Sequence, residues 1–217
     1  VAKALNTRAI KRAGKASDSA VINARLTNHK TEAVGMSAFD FDETLIIDGE
    51  NFVTATKGSD IVKISSGKWP IEGPKLAKDG YTFDFSDFVN VRGGVDGPLM
   101  KDFKKKLAKY GAENMFILTA RPQEADKAIH GWLKSKGINI PLANITGLAN
   151  STGESKAQWM LDKFAEGYND MYFVDDALPN VKAVDNVLSQ LDVKRKVQQA
   201  VPGVIKQKVK FSKSSFK

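Results

Sequence analysis

Asp40 and Asp42 stand two residues apart in the segment FDFDETL, with Thr44 two further on. A small, apolar stretch from Ala33 to Phe39 precedes them and reads as a short buried strand. In extended backbone, side chains at i and i+2 point to the same side. Two carboxylates so aligned repel, which raises the proton affinity of one unless a cation lies between them. The pairing suits a nucleophile beside a general acid/base, or else a solvated acidic turn capping a helix. With 17 Asp and 10 Thr in 217 residues, chance alone yields D-x-D-x-T about 0.06 times, which favours chemistry over coincidence.

Two other apolar runs end in complementary groups. MFIL at 115–118 stops at Thr119, Ala120, Arg121 and Pro122, and MYFV at 171–174 stops at Asp175 and Asp176. Thr119 offers a hydroxyl and Arg121 a forked cation to phosphate oxygens, whereas Asp175 and Asp176 supply the hard oxygen ligands that Mg²⁺ prefers. Lys156 lies between them in sequence, near the start of a helical stretch, where an ammonium can neutralise a transferring phosphoryl group; the alternative for a lone lysine is a solvated surface position.

The elements that must position these groups alternate. Met100, Phe103, Leu107 and Tyr110 have helical spacing, closed by Gly111; Ala128, Ile129, Trp132 and Leu133 repeat it within 122–136. Residues 144–148 fit a strand, 155–166 a helix and 181–191 a last helix. Strands alternating with helices in this way predict an α/β fold, a Rossmann-like parallel sheet with helices on both faces, whose sites form beyond the carboxyl ends of the strands. Residues 46–90 break the pattern: seven Gly and Pro residues punctuate short β-like pieces at 52–56 and 61–64, which predicts an irregular, hairpin-rich insertion. His130, beside Trp132 on an apolar helical face, reads as structural, and Trp69 and Trp159 read as packing residues.

With these motifs in this order, the span from Ala33 to Leu191 resembles the haloacid dehalogenase (HAD) superfamily of phosphatases and phosphotransferases. The resemblance implies a nucleophile at Asp40 and an acid/base at Asp42 in FDFDET, a phosphate-holding threonine at Thr119 in ILTARP, a lysine at Lys156, and an acidic pair at Asp175 and Asp176 in FVDD. It implies phosphoryl transfer through an aspartyl-phosphate, with Arg121 joining Thr119 and Lys156 around the phosphate. Mg²⁺ would be held by Asp40, a backbone carbonyl at Asp42, Asp175 and Asp176. Asn180 falls where some members carry a further polar residue. The 74 residues between Thr44 and Thr119 leave room for a small cap, and the 34 between Arg121 and Lys156 leave none for a second. A small cap implies an open site, suited to phosphate groups on macromolecules. The same span is also similar to HAD modules embedded in large phage proteins.

Charge divides the chain further. Residues 1–36 carry 7 basic and 2 acidic side chains, residues 37–193 carry 18 and 23, and residues 194–217 carry 8 and 0. The expected organisation is therefore a basic N-terminal arm over 1–32 with weak amphipathic helical character, a body over 33–193 that includes the 46–90 insertion, and a basic tail over 194–217. The ends are either merely solvated or make salt-sensitive contacts with DNA or RNA phosphates, without the aromatic interleaving that would read sequence. Three functions stay open: a phosphatase acting on nucleic-acid or nucleotide phosphates, a phosphatase for small phosphorylated metabolites, and a virion component whose ends touch genome or other virion proteins. Zero cysteines exclude disulfides, thiolate catalysis and zinc fingers. No apolar run approaches the roughly 18 residues of a membrane span, and the N-terminus lacks a secretory apolar stretch, so no membrane partner is expected and the compartment is cytoplasm or virion. The start at Val1 fits a fragment or a processed product.

Overall fold

A computed structural model describes residues 33–201. Its centre is a five-stranded, all-parallel sheet in the order β10-β9-β1-β7-β8, built from β1 (Gly35–Phe39), β7 (Met115–Thr119), β8 (Ile145–Gly147), β9 (Asp170–Asp175) and β10 (Lys194–Gln199). The apolar runs MFIL and MYFV lie in its interior because side chains on alternate positions meet helices on opposite faces. Met36, Ala38, Phe116, Leu118, Met171 and Phe173 pack against α4 (Gly153–Glu166) and α5 (Leu178–Ser189). Phe39, Met115, Ile117, Tyr172 and Val174 pack against α2 (Met100–Tyr110) and α3 (Asp126–Ser135). Burial on both faces explains why these strands are continuously apolar and not alternating. The expected α/β class is therefore found, with a sheet flanked by helices.

β1 is the turning point of the topology. The chain moves outward from β1 to β7 and β8, then returns to the other side of β1 for β9 and β10. The winding reverses between β1 and β9, and in open parallel sheets the carboxyl ends of strands at such a reversal are where sites generally form. Asp40 follows β1 directly, and its N–H donates to the Val174 carbonyl at 2.9 Å, so the two strand ends are locked together there.

The insertion differs from its expected form in two ways. It runs to Asp96, because β2 (Ile46–Gly49) pairs antiparallel with β6 (Gly93–Asp96) and makes a two-stranded stalk. Above the stalk, β3 (Phe52–Lys57) pairs with β4 (Asp60–Ser65) and with β5 (Thr82–Asp84), much as expected for the first two. Between them sits a helix that the sequence reading missed, α1 (Trp69–Lys78). Its Pro70 occupies the first turn, where a missing N–H costs nothing, and Gly73 lies flat against the Trp69 ring, which a Cβ would approach to 2.7 Å. Trp69, Phe83 and Phe85 meet edge to face or tilted, with centroids 5.0–6.4 Å apart; Trp69 and Phe83 pack on Val53, Ala55, Ile64 and Phe88 to give the insertion its own small core, while Phe85 stays exposed.

The C-terminal boundary also moves. Lys194–Gln199 is not tail but the fifth strand of the sheet, in register with Asp170–Asp175. Its basic side chains are neutralised locally: Lys194 pairs with Asp170 and Arg195 with Asp185, both at 2.9 Å, while Lys196 lies over the Tyr172 ring. An edge strand buries little, so Val197 and Ala200 suffice as its apolar anchors. The amphipathic expectation for 1–32 and the remaining basic stretch 202–217 lie outside the described residues.

Gly97 joins the stalk to α2 where no side chain fits. Its N–H donates to Leu45 O at 2.7 Å, and a Cβ would fall 2.6 Å from the Thr44 carbonyl oxygen. Gly97→Ala is expected to cost about 1–3 kcal/mol, because the obstructing atoms are the backbone of Thr44 and Leu45 and cannot swing aside; the loss is read as a lowered urea midpoint with unchanged m-value.

Candidate active site

The loops after β1 and β9 and the first turn of α4 bring three charged groups into contact. Lys156 Nζ lies 2.6 Å from Asp40 Oδ1 and 2.5 Å from Asp175 Oδ2, with all three side chains essentially removed from solvent. Lys156 arrives there because Thr152 caps α4 through the Ser155 N–H, which starts the helix two residues earlier than expected and turns Lys156 into the sheet. Gly153 permits this close seating, since a Cβ there would meet Ala183 and the Pro179 carbonyl. The surface-lysine alternative is thereby excluded.

Asp175 is fully engaged. Besides Lys156, its two oxygens accept from the Ala177 N–H at 2.9 Å and from Asn180 Nδ2 at 3.1 Å each. Asn180, ambiguous in sequence, thus holds this carboxylate from the first turn of α5. Asp40 accepts on both oxygens, unequally: Oδ1 takes the lysine at 2.6 Å, and Oδ2 only a long 3.3 Å hydrogen bond from the Thr44 hydroxyl. The third residue of D-x-D-x-T therefore orients the first.

Asp40, Asp175 and Asp176 offer oxygens within 4.8 Å of one another, the one such cluster among the described residues. Burial drives the Asp40 carboxyl well above the usual range, opposed by Lys156 and reinforced by Asp175 and Asp176. Burial and then the charge of Asp175 push Asp176 up to about 7. Burial works against the Lys156 charge, but Asp40 and Asp175 more than offset it and hold the ammonium above the ordinary lysine value. Three carboxylates sharing one ammonium leave an excess of negative charge, which a proton or a bound cation would relieve.

Thr119 and Arg121 emerge from β7, the neighbour of β1 on the other side. The buried Thr119 hydroxyl accepts from the Arg121 N–H at 3.2 Å, leaving its own proton with no acceptor among the described residues. Arg121 departs from expectation. Its guanidinium grips both oxygens of Asp42 at 2.8 Å, and its other donors point into the insertion, so no N–H is left for a phosphate. Asp42 likewise stands apart from the acidic cluster: although two residues from Asp40, it forms an isolated β-bridge with Ile46 across a turn in which Glu43 takes a positive φ of 55°. The two carboxylates do not share one cation as neighbours in a cluster would: Asp40 pairs with Lys156 and Asp42 with Arg121.

Two contributors carried no sequence signal. Asn51 is buried and links Arg121 to the Asp87 carbonyl and the Arg92 N–H. Glu43 accepts from Ser66 at 2.8 Å and fastens the turn after β4 to the loop after β1. His130 binds the Ile140 carbonyl at 3.0 Å and Trp159 packs edge to face on Phe116, both as expected of structural residues. No helix among the described residues is long and apolar enough to cross a membrane. Comparison with protein-family models, with curated proteins and with solved structures finds no match in any of the three.

Proposed function

We propose that this chain is a divalent-cation-dependent phosphohydrolase of the haloacid dehalogenase type, working through an aspartyl-phosphate on Asp40. The observation that carries the reading is the unequally held carboxylate: Lys156 fixes one oxygen of Asp40 at the topological turning point, and the other, which accepts only a long 3.3 Å bond from Thr44, keeps a lone pair for attack. In the first step Asp40 Oδ2 bonds to phosphorus as the bond to the leaving oxygen breaks, and Asp42 gives that oxygen a proton. In the second, Asp42 takes a proton from water as the water oxygen bonds to phosphorus and the bond to Asp40 breaks, releasing phosphate. Lys156 and the free Thr119 proton hold the equatorial oxygens.

Mg²⁺ is the proposed cofactor; Asp40, Asp176 and the Asp42 carbonyl would hold it, Asp175 would join them by exchanging one of its present hydrogen bonds, and the ion would supply charge neutralisation at the phosphoryl group. The donor set fits because it is all oxygen and carries more negative charge than Lys156 balances. A pH dependence follows. With its carboxyl raised to about 7, Asp176 binds more protons in the folded than in the unfolded chain between about pH 4 and 7, so metal-free stability falls as pH rises through that window. Cation binding needs the ionised carboxylates, so Mg²⁺ is expected to raise Tm more at pH 8 than at pH 5, by about 5–10 °C at a hundredfold excess over Kd. Differential scanning calorimetry at both pH values checks this; an equal shift at pH 5 and 8 places the cation elsewhere.

The proposed substrate class is a phosphate group on a nucleic acid or nucleotide. β10 ends beside Asp175, and the following residues 202–217 carry five Lys and no acidic residue. The test is turnover of an aryl phosphate with and without Mg²⁺, followed by 3′- and 5′-phosphorylated oligonucleotides at rising salt. Oligonucleotide turnover that falls steeply with salt supports the assignment; salt-independent turnover of small phosphates alone replaces it with a metabolite phosphatase.

A further inference from the structure

Arg121 presents five N–H donors, and five acceptors surround them. Nε and one Nη2 proton take the two oxygens of Asp42 at 2.8 Å; the other Nη2 proton faces Asn51 Oδ1 at 3.4 Å; Nη1 donates to the carbonyls of Phe88 and Asn90 at 3.3 and 2.5 Å. The Phe41 and Phe88 rings also lie against the guanidinium, with centroids 5.3 and 5.0 Å away. The Arg121 side chain is 2% exposed, whereas Asp42 is 22% exposed and can still meet a substrate. Three of the five acceptors belong to the insertion and two to the candidate acid/base. One buried cation therefore joins β7, the loop after β1 and the insertion.

We propose that Arg121 is a positioning residue through which the seating of the insertion fixes the Asp42 carboxylate, so that the insertion governs proton transfer as well as access. The inference rests on the phosphohydrolase reading, since only there does Asp42 move a proton. Its physical basis is the closed inventory of donors. A phosphate can reach Arg121 only by displacing Asp42 or the backbone of the insertion, and a planar fork fixed on three sides leaves Asp42 one orientation. The coupling runs both ways: without the Asp42 carboxylate, a buried guanidinium keeps only neutral partners, and the segment 86–92 that supplies them is held less firmly. Asn51 is the intermediate link, because it binds Arg121 through Oδ1 and the Asp87 carbonyl through Nδ2.

The experiment compares wild type with Arg121→Lys, Arg121→Ala, Asn51→Ala and Asp42→Asn. Arg121→Lys keeps the charge but loses the fork, and is expected to lower kcat by about 10- to 100-fold while KM and inhibition by inorganic phosphate stay within about threefold. Added guanidinium ion is expected to restore part of the kcat of Arg121→Ala, and Asn51→Ala to lower kcat about three- to tenfold with KM unchanged. Amide hydrogen exchange over 86–92 is expected to quicken by about tenfold in Asp42→Asn. A phosphate inhibition constant that weakens by about tenfold or more in Arg121→Lys overturns the proposal and makes Arg121 a phosphate ligand. Unchanged exchange over 86–92 in Asp42→Asn overturns it as well. Absence of turnover in folded, Mg²⁺-loaded wild type defeats the phosphohydrolase reading instead, and the exchange measurement then decides the coupling by itself.

Discussion

Asp40→Asn is expected to lose turnover by at least about 10³-fold while folding as well as the wild type. The amide nitrogen cannot attack phosphorus as a carboxylate does, and the amide oxygen carries no formal charge. The fold tolerates the change because it removes a charge that burial already opposes: with three carboxylates around one ammonium, the neutral residue leaves Lys156 its 2.5 Å partner Asp175. The metal-free variant at pH 8 is therefore expected to match or exceed wild-type Tm, and the Mg²⁺-dependent rise in Tm to shrink. Parallel calorimetry and phosphate-release assays check both halves. A variant that loses activity only because it unfolds would leave Asp40 a structural residue, and one that keeps turnover would move the nucleophile elsewhere.

Lys156→Met has the opposite profile and the largest expected cost in stability. Methionine fills the volume but leaves Asp40 and Asp175 facing each other, buried and without their cation. Breaking a buried pair from one side costs about 3–5 kcal/mol, because the remaining charges stay desolvated. The sign with pH follows from the carboxyls left behind. Asp40, already raised by burial, loses the cation that held it down, so the folded variant is relieved at low pH and the penalty grows as pH rises. The difference between variant and wild type is thus expected to be largest near pH 8 and smallest near pH 5, measured as urea midpoints at each pH. The double variant with Asp40→Asn is expected to be more stable than Lys156→Met alone, since it removes one of the two stranded charges. A penalty independent of pH would mean that the carboxylates do not depend on the lysine.

The same groups divide sharply in how far one-dimensional information located them. β1, β7 and β9 were legible because a strand buried on both faces must be apolar at every position, and FDFDET, LTA and FVDD follow such runs directly. Helix α2 was legible because its buried residues Met100 and Phe103 recur at helical spacing. α1 was not, since its two prolines and its glycine are the ordinary marks of a turn; a proline in the first turn and a glycine pressed on Trp69 are acceptable only in that particular packing. β10 was hidden by its charge, because an edge strand needs few apolar residues when its lysines and arginine meet Asp170, Asp185 and the Tyr172 ring.

Sequence by itself determined the parallel α/β architecture and the chemical types at the ends of three strands, because burial pattern and residue identity are local properties. Tertiary structure alone decided which charge meets which. Lys156 is 116 positions from Asp40 and Arg121 is 79 from Asp42, and nothing local distinguishes those cations from the chain's other 31 basic residues. Only the winding of the sheet around β1 and the seating of the insertion bring one cation to the first carboxylate and a different one to the second. The reason is physical: a desolvated charge must find its partner in three dimensions, and distance along the chain places almost no limit on where that partner lies.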